Sequence, residues 1–96
     1  MYNDRFIWDE YKHAANIHKH GIDFHEAASV FDDPNSVIEY DDEHSYDEDR
    51  FVVLGISEKM RLLTVCHCLR GNDDKIRIIS ARTATRPEAN QYGGAR

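Results

Sequence analysis

Apolar residues occur in short runs along this chain, and the spacing within each run predicts the element that it forms. Three stretches rich in β-branched and aliphatic residues, typical of strands, follow closely on one another: RFVVLGIS (50–57), RLLTVCHCL (61–69) and KIRIISAR (75–82). The gaps between them, 58–60 and 71–74, have the length of hairpin turns. The pattern therefore predicts an antiparallel meander in the second half of the chain.

Helices are predicted ahead of this meander and after it. Asp9 can cap a first helix that ends at Gly21, directly after Lys19 and His20, because cations and glycine favour a helix C-terminus. Apolar residues recur within that helix at Tyr11, Ala14, Ala15 and Ile17, an amphipathic pattern.

A second helix is expected from about Asp23 to Phe31, before Pro34 stops it. Thr85 and Glu88 match a capping box, which predicts a final short helix reaching about Tyr92 and stopped at Gly93 and Gly94. Short apolar runs at 6–8 and 37–40 supply two more strands. The resulting order, β-α-α-β-β-β-β-α, predicts an α+β fold with helices packed on one face of an antiparallel sheet.

Length and composition predict one soluble domain over residues 1–96. Without an apolar run of about 18 residues or a secretory signal near the N-terminus, we expect a cytoplasmic protein with no membrane contact. Cys66 and Cys68 are two residues apart on one strand, a spacing that fits neither a redox motif nor a complete zinc site. Both are therefore expected to be free, buried or half-buried thiols.

Charge is distributed unevenly between the two halves of the chain. Residues 1–50 hold 4 Lys/Arg and 14 Asp/Glu, a balance of −10, whereas residues 51–96 hold 8 and 4, a balance of +4. The sum is the net charge of −6. An overall negative charge argues against broad adhesion to nucleic acid, but it is compatible with a compact basic site for an anionic substrate.

Strand alternation brings some of the basic residues together. It predicts Arg61 and His67 on one face of their strand, and Arg77 on the opposite side of its strand from Arg82. A hairpin could then group Arg61, His67 and Arg77 around a phosphodiester, since arginine stabilises phosphate charge and histidine transfers protons. The alternative is a solvated basic face paired with carboxylates, with His67 as a structural histidine.

Other residues give weaker indications of chemistry. Trp8 and Tyr92 could stack on bases, or close the edge of a small core. His20 beside a helix C-terminus could contact phosphate, or simply balance the helix end. The histidines of the first helix show no metal-binding motif, so no metal or other cofactor is expected. The acidic segment 41–49 lacks the spacing of a calcium loop and is expected to be a solvated loop.

Two longer segments carry a family resemblance. W-D-x-x-K-x-x-x-N-x-x-K-H-G at 8–21 and R-I-I-S-A-R-x-A-T-R-x-E at 77–88 resemble the BrnT family of bacterial toxins, and the resemblance extends over about residues 6–92. It implies a small RelE-like fold and a metal-independent endoribonuclease that arrests growth by attack of the substrate's own 2′-hydroxyl. It also implies a type II toxin–antitoxin pair, with a ribbon-helix-helix, BrnA-like antitoxin that forms a heterotetramer and contacts operator DNA.

The resemblance implies that Arg61, Arg70, Arg77 and Arg82 surround the phosphate and that His20 and His67 are candidates for proton transfer, and the residue patterns add further candidates. The residues expected to act in catalysis are Arg61, His67, Arg77, Arg82 and His20. Those expected to bind substrate are Lys19, Arg70, Arg86, Trp8 and Tyr92. The segment 86–96 is shorter and less basic than the family pattern, and the chain is acidic. The alternative function is therefore a catalytically weak homologue that binds the antitoxin in operator autoregulation.

Overall fold

The structure is a computed structural model that describes residues 5–72 and 74–92. Along the chain the elements are β1 (Phe6–Ile7), α1 (Glu10–His20), α2 (Phe24–Ser29), β2 (Val37–Tyr40), β3 (Arg50–Ile56), β4 (Leu62–Arg70), β5 (Lys75–Thr83) and α3 (Arg86–Gln91). Two short 3-10 turns, at Val30–Asp32 and Asp42–His44, precede and follow β2. The predicted α+β class and element order are confirmed. Two predicted features lie outside the described residues. These are the stop of the last helix at Gly93 and Gly94, and Asp73 in the second hairpin turn.

The five strands form one sheet in the order β1-β5-β4-β3-β2. Strands β2 to β5 are antiparallel as predicted, but β1 pairs in parallel with β5, with Phe6 opposite Ile76. The sheet is therefore mixed and not wholly antiparallel. A long stretch of chain connects β1 to β5, and strands connected in this way can pair in either direction. The apolar run at 6–8 therefore did not predict whether β1 joins the sheet parallel or antiparallel to β5.

The core lies between α2 and one face of the sheet. Residues of the segment 22–30 pack against inward-facing strand residues, all nearly inaccessible to solvent: Ile22, Phe24, Ala27, Ala28 and Val30 on one side, and Val53, Leu63, Val65, Ile78 and Ala81 on the other. Burying a side chain such as Phe24 stabilises the folded state by about 1.5–3 kcal/mol relative to leaving it exposed. This face of the sheet therefore belongs to the hydrophobic core.

Helix α1 begins and ends as the sequence predicts, but it packs differently. Asp9 Oδ1 accepts hydrogen bonds from two backbone amides of the first turn, and Gly21 takes the left-handed conformation at φ 72°. The apolar residues expected to face the core, such as Tyr11 and Ile17, are exposed, and Asn16 is the buried residue of the helix. Its side chain bonds both backbone groups of Ala81 and so anchors α1 to β5.

Helix α2 is shorter than predicted. Asp23 caps it, but it ends at Ser29, and Phe31 lies in the 3-10 turn that follows. The Ser29 hydroxyl donates to the carbonyl of Glu26 at 2.6 Å, a local bond of the kind that competes with helix geometry. No helix in residues 5–72 and 74–92 is both long and apolar enough to cross a membrane.

Helix α3 contacts the other face of the sheet, which differs from the prediction that the helices share one face. The capping box of Thr85 and Glu88 is confirmed. Glu88 also accepts a hydrogen bond from Thr64, whose side chain alternates with those of the core residues Leu63 and Val65. At the end of the helix, the Tyr92 hydroxyl donates to Asp33 Oδ2 at 2.5 Å and so ties the C-terminal turn to the region of α2.

Candidate active site

The face of the sheet that α1 and α2 do not cover, called the open face below, carries the arginines of the strands, namely Arg50, Arg70, Arg77 and Arg82. Strand register aligns its residues in three rows across β3, β4 and β5: Arg50, Cys68 and Arg77; Val52, Cys66 and Ser80; Leu54, Thr64 and Arg82. Neighbouring strands lie about 4.8 Å apart, so the Cα atoms of Arg50 and Arg77 are separated by roughly 10 Å. The open face therefore carries three arginines within reach of one extended ligand.

A β-bulge makes this arrangement possible. Cys66 lies opposite Ser80 but His67 lies opposite Ile78, so Ile79 is an additional residue in β5. The alternation of β5 reverses there, and Arg77 and Arg82 share the open face. The prediction that these two arginines lie on opposite faces was wrong because simple alternation assumes an unbroken strand.

A cleft of about 220 Å³ opens on this face. Arg50 and Arg82 supply its positive charge and Thr64 and Ser80 its hydroxyls, while Asp41 and His44 line it from the acidic segment 41–49. Arg50 Nε is buried, and no group in residues 5–72 and 74–92 accepts a hydrogen bond from it. This nitrogen lies 3.4 Å from Glu48 Oε2, so an anion that binds Arg50 would compete with that carboxylate.

Arg82 is held in place by helix α3. Its two terminal nitrogens donate to the two carboxylate oxygens of Glu88, each at 2.8 Å. Glu88 also accepts hydrogen bonds from the Thr64 hydroxyl and the Thr85 amide. The hydrogen bonds from Arg82 in particular lower the pKa of Glu88 from its ordinary value of 4.5 to about 2, so this carboxylate stays ionised.

The acidic segment 41–49 is a largely exposed loop, as predicted, but Asp41 and His44 also line the cleft. Glu48 accepts a hydrogen bond from Arg70 and lies 3.4 Å from Arg50 Nε. The hydrogen bond from Arg70 and the nearby charges of Arg50 and Arg77 lower the pKa of Glu48, against a smaller opposing effect of burial. The ion pair between Glu48 and Arg70, 22 residues apart, holds this segment against β4.

His44 is fixed by the same segment. Its Nδ1 lies 3.1 and 3.0 Å from the two carboxylate oxygens of Asp41, and the imidazole is 59% exposed beside the cleft. Because an ionised carboxylate only accepts hydrogen bonds, the bonded Nδ1 carries the proton and Nε2 is the basic nitrogen.

Arg61 lies away from the open face. It forms a two-pronged ion pair with Glu26 of α2, a carboxylate that is 1% exposed and also accepts a hydrogen bond from Ser57. Burial raises the pKa of Glu26, but the bonds from Arg61 and Ser57 outweigh this effect, and the pKa lies below its ordinary value. Arg61 thus neutralises a buried charge.

His67 lies on the core side of the sheet. It is 3% exposed, and its ring packs against Phe31 and Phe51. Burial lowers the pKa of His67, which favours the neutral form. The structure therefore separates Arg61, His67 and Arg77, and the predicted grouping of these three side chains was wrong.

The remaining candidates divide between the two sides of the sheet. Arg70, at the end of β4, lies opposite Lys75 and also faces the open side of the sheet. Lys19 and His20 are exposed in the last turn of α1, and Arg86 is exposed at the start of α3. The Trp8 ring packs against Phe24 at the margin of the core. The structure brings none of Lys19, His20, Arg86, Trp8 or Tyr92 into the lining of the cleft.

The two cysteines are free, and both face the open side of β4. Cys66 lines the cleft, and burial raises its pKa, as it does that of Cys68. Both thiols are therefore held in the neutral form. Within residues 5–72 and 74–92, no group of three or more His, Cys, Asp or Glu side chains is arranged to hold a metal ion.

Sequence reasoning missed the residues that build the cleft around Arg82, namely Asp41, His44, Arg50, Thr64 and Ser80. Alternation within β3 and β4 could have placed Arg50 and Thr64 on one face, opposite the core positions Val53 and Val65. Alternation also places Ser80 on the same face as Arg82, two residues further along β5, and the bulge changes only the relation of these two residues to Arg77. His44 and Asp41 reach the cleft through the fold of a segment without regular periodicity.

Comparisons with known proteins identify the family. The sequence model of the family described as "Ribonuclease toxin, BrnT, of type II toxin-antitoxin system" matches residues 8–88, which include every residue of the cleft. The fold is similar to the crystal structure of the Brucella abortus ribonuclease toxin BrnT, with a TM-score of 0.64 and 25% identity over 84% of this chain and 96% of that one. No curated protein sequence matches the chain. The chain belongs to the BrnT family, the ribonuclease toxins of type II toxin–antitoxin systems.

Proposed function

We propose that this protein is an endoribonuclease toxin that cleaves RNA on the open face by attack of a substrate 2′-hydroxyl, without a metal ion. The observation that carries the proposal is the alignment of Arg50, Arg77 and Arg82 on one face of the sheet, where Arg50 and Arg82 line a cleft together with the hydroxyls of Thr64 and Ser80. A phosphodiester is the anion that this face fits, because its oxygens can accept several charged hydrogen bonds at once.

The arginines would act on the phosphate as charge develops. When the 2′-oxygen attacks, negative charge accumulates on the equatorial oxygens of phosphorus, and preorganised donors stabilise that charge more than the ground state. Arg82 is preorganised, since two hydrogen bonds to Glu88 fix its guanidinium. Arg50 lines the same cleft and would bring a second guanidinium to the phosphate.

The acidic composition of the chain is compatible with this site. The negative charges closest to the arginines, Glu48 and Glu88, hold them in position and reduce their net field. Binding would then depend on geometry at a few phosphates, and unspecific adhesion to nucleic acid would be weak.

We also propose that the partner is a ribbon-helix-helix antitoxin that forms a heterotetramer with the toxin and carries the contact to operator DNA. The open face already binds carboxylates, since Arg70 and Arg82 each pair with a glutamate of the same chain. An acidic antitoxin segment could bind in the same way and cover the cleft. A catalytically weak protein that serves mainly as an antitoxin-binding module would use the same surface.

Expression in a bacterial host without the antitoxin tests the proposal. Wild type, Arg82→Ala and Arg77→Ala would be induced beside Lys12→Ala, a control that removes one exposed positive charge from α1. Growth and total RNA integrity would be followed together. We expect arrest and RNA breakdown in the wild type and the control, and loss of both in the open-face variants.

A purified assay separates cleavage from binding. The wild type should cut RNA in the presence of a chelator and should leave the same oligonucleotide intact when its 2′-hydroxyls are replaced by hydrogen. Intact RNA and normal growth with folded wild-type protein would overturn the ribonuclease proposal. Capture of the antitoxin by that protein, and its loss in Arg77→Ala, would support the binding module.

A further inference from the structure

RNA cleavage by this route requires a group that removes the proton of the attacking 2′-hydroxyl. The histidines first considered for this step, His67 and His20, do not line the cleft: His67 is enclosed on the core side of the sheet, and His20 belongs to α1. Among the described residues, His44 is the histidine in the cleft lining. It lies there with Arg50, Arg82 and the Ser80 hydroxyl.

We infer that His44 is the proton-transfer residue of the site and that Asp41 is the residue that positions it; this inference rests on the proposed ribonuclease function. Histidine can take up and release a proton near neutral pH. The Asp41 carboxylate binds Nδ1 with both of its oxygens, at 3.1 and 3.0 Å. Nε2 therefore holds the lone pair that a general base needs.

Hydrogen bonds on both sides of Asp41 anchor the backbone of this pair. Asp41 is the N-cap residue of the 3-10 turn Asp42–His44, and its side chain is only 16% exposed. Its amide donates to the carbonyl of Arg50 at 2.9 Å, and the Ser45 hydroxyl donates to the carbonyl of Asp41 at 2.6 Å. The backbone of the residue that orients His44 is thus hydrogen-bonded to Arg50, the first residue of β3, whose side chain lines the same cleft.

The proposed step balances without a cofactor. His44 Nε2 takes the proton of the 2′-hydroxyl, the 2′-oxygen forms a bond to phosphorus, and the bond from phosphorus to the 5′-oxygen breaks. Water entering the open cleft gives a proton to the leaving 5′-oxygen, and His44 returns its proton to solvent. The products are a 2′,3′-cyclic phosphate and a 5′-hydroxyl. Asp41 stabilises the imidazolium that forms in this step.

The test uses the purified full chain and two probes. A fluorophore-labelled single-stranded RNA of mixed sequence reports cleavage, and its fully 2′-O-methylated form, which cannot be cleaved, reports binding. His44→Ala should lower kcat by about 100-fold or more and leave affinity for the methylated probe within about twofold. Added imidazole should restore part of the activity of His44→Ala. His18→Ala, which changes an exposed histidine of α1, should behave as wild type.

Asp41→Asn separates positioning from a structural role. It should lower kcat by about 10-fold or more, with little change in affinity for the methylated probe. The double variant His44→Ala, Asp41→Asn should be no slower than His44→Ala alone, because a residue that acts through His44 has no effect once His44 is absent. Additive losses would show that Asp41 acts structurally.

The outcomes also separate this inference from the proposed function. Inactivity of the folded wild type on RNA would overturn both. An active wild type with His44→Ala and His44→Gln cleaving at wild-type rates would overturn the role of His44 and leave the ribonuclease function standing. His44 is exposed, so both variants should fold, which circular dichroism and thermal unfolding would check.

Discussion

Arg77 and Arg82 project from the same face of the sheet, although they are an odd number of positions apart on one strand. Arg77 lies opposite Cys68 and Arg82 opposite Thr64, two residues of β4 that share a face. The extra residue Ile79 makes this possible, because a bulge reverses the alternation of a strand. One irregularity in β5 thus brings the basic residues of the strand onto the open face.

The ion pair between Arg82 and Glu88 should make folding stability depend on acid pH. The pKa of Glu88 is about 2 in the folded protein and 4.5 ordinarily, so its contribution is complete above pH 4.5 and is lost as pH falls toward 2. Glu88→Gln keeps a side chain that can cap α3 but removes the charge. We expect it to cost about 1–2 kcal/mol of unfolding free energy at pH 6, with a difference from wild type that vanishes near pH 2.

Urea unfolding at several pH values between 2 and 7 would measure this difference. Glu43→Gln, an exposed change in the acidic segment with the same loss of charge, serves as the control and should stay within about 0.5 kcal/mol of wild type. A difference between Glu88→Gln and wild type that remains constant over the whole pH range would contradict the ionic role of Glu88.

Arg61 should prove structural. Removing its side chain leaves the carboxylate of Glu26 buried without its charged partner, which is strongly unfavourable. We expect Arg61→Ala to lower Tm by roughly 5 to 10 °C. The double variant Arg61→Ala, Glu26→Gln should recover part of that loss, since a neutral amide costs less to bury than a charge.

Activity measured per folded molecule would decide whether Arg61 also has a catalytic role. At a temperature where Arg61→Ala remains folded, we expect its RNA cleavage to match that of wild type. A fall in kcat of more than about 10-fold, with unfolding excluded by circular dichroism, would return Arg61 to the catalytic set.

Local signals in the sequence predicted the elements well. Asp9, Gly21 and the pair of Thr85 and Glu88 act on backbone groups within a few residues of themselves, so their geometry depends little on the rest of the chain. The β-branched runs likewise defined β3, β4 and β5 to within one or two residues. The order of elements followed from these signals.

The site was harder to predict because its residues meet through distant contacts. Glu48 and Arg70 pair across 22 positions, and Glu26 and Arg61 across 35. The spacing of residues along the sequence does not predict which carboxylate pairs with which arginine. The bulge at Ile79 has no distinct sequence signal either, and it determined the face on which Arg82 lies. The sequence therefore predicted that arginines would form the site, but it did not predict which residues meet there.

His67 should influence stability and not catalysis. Burial lowers its pKa below the ordinary 6.5, so the unfolded chain takes up a proton that the folded protein resists, and stability falls as pH drops below 6.5. His67→Phe keeps a ring against Phe31 and Phe51 and removes this penalty. We expect wild type to lose at most about 2 kcal/mol more than the variant between pH 7 and pH 5.

Thermal unfolding from pH 5 to 8 and RNA cleavage at pH 7 would check this expectation. The variant should cleave at the wild-type rate, because the ring lies on the core side of the sheet. Loss of cleavage in a folded His67→Phe protein, with unchanged binding of methylated RNA, would show that His67 takes part in the reaction after all.

Glu48 should compete with RNA for the arginines of the open face. Its carboxylate occupies Arg70 and lies beside Arg50, so an incoming phosphate must displace it. Glu48→Gln is expected to tighten binding of 2′-O-methylated RNA by roughly threefold to tenfold at low salt, with a smaller gain at high salt, where charges are screened. Fluorescence anisotropy at two salt concentrations would measure this gain in affinity.

Glu43→Gln removes the same charge from the same segment and should change affinity by less than about twofold. Equal gains in the two variants would mean that only net charge matters, and weaker binding in Glu48→Gln would mean that Glu48 holds the arginines in the geometry that RNA requires.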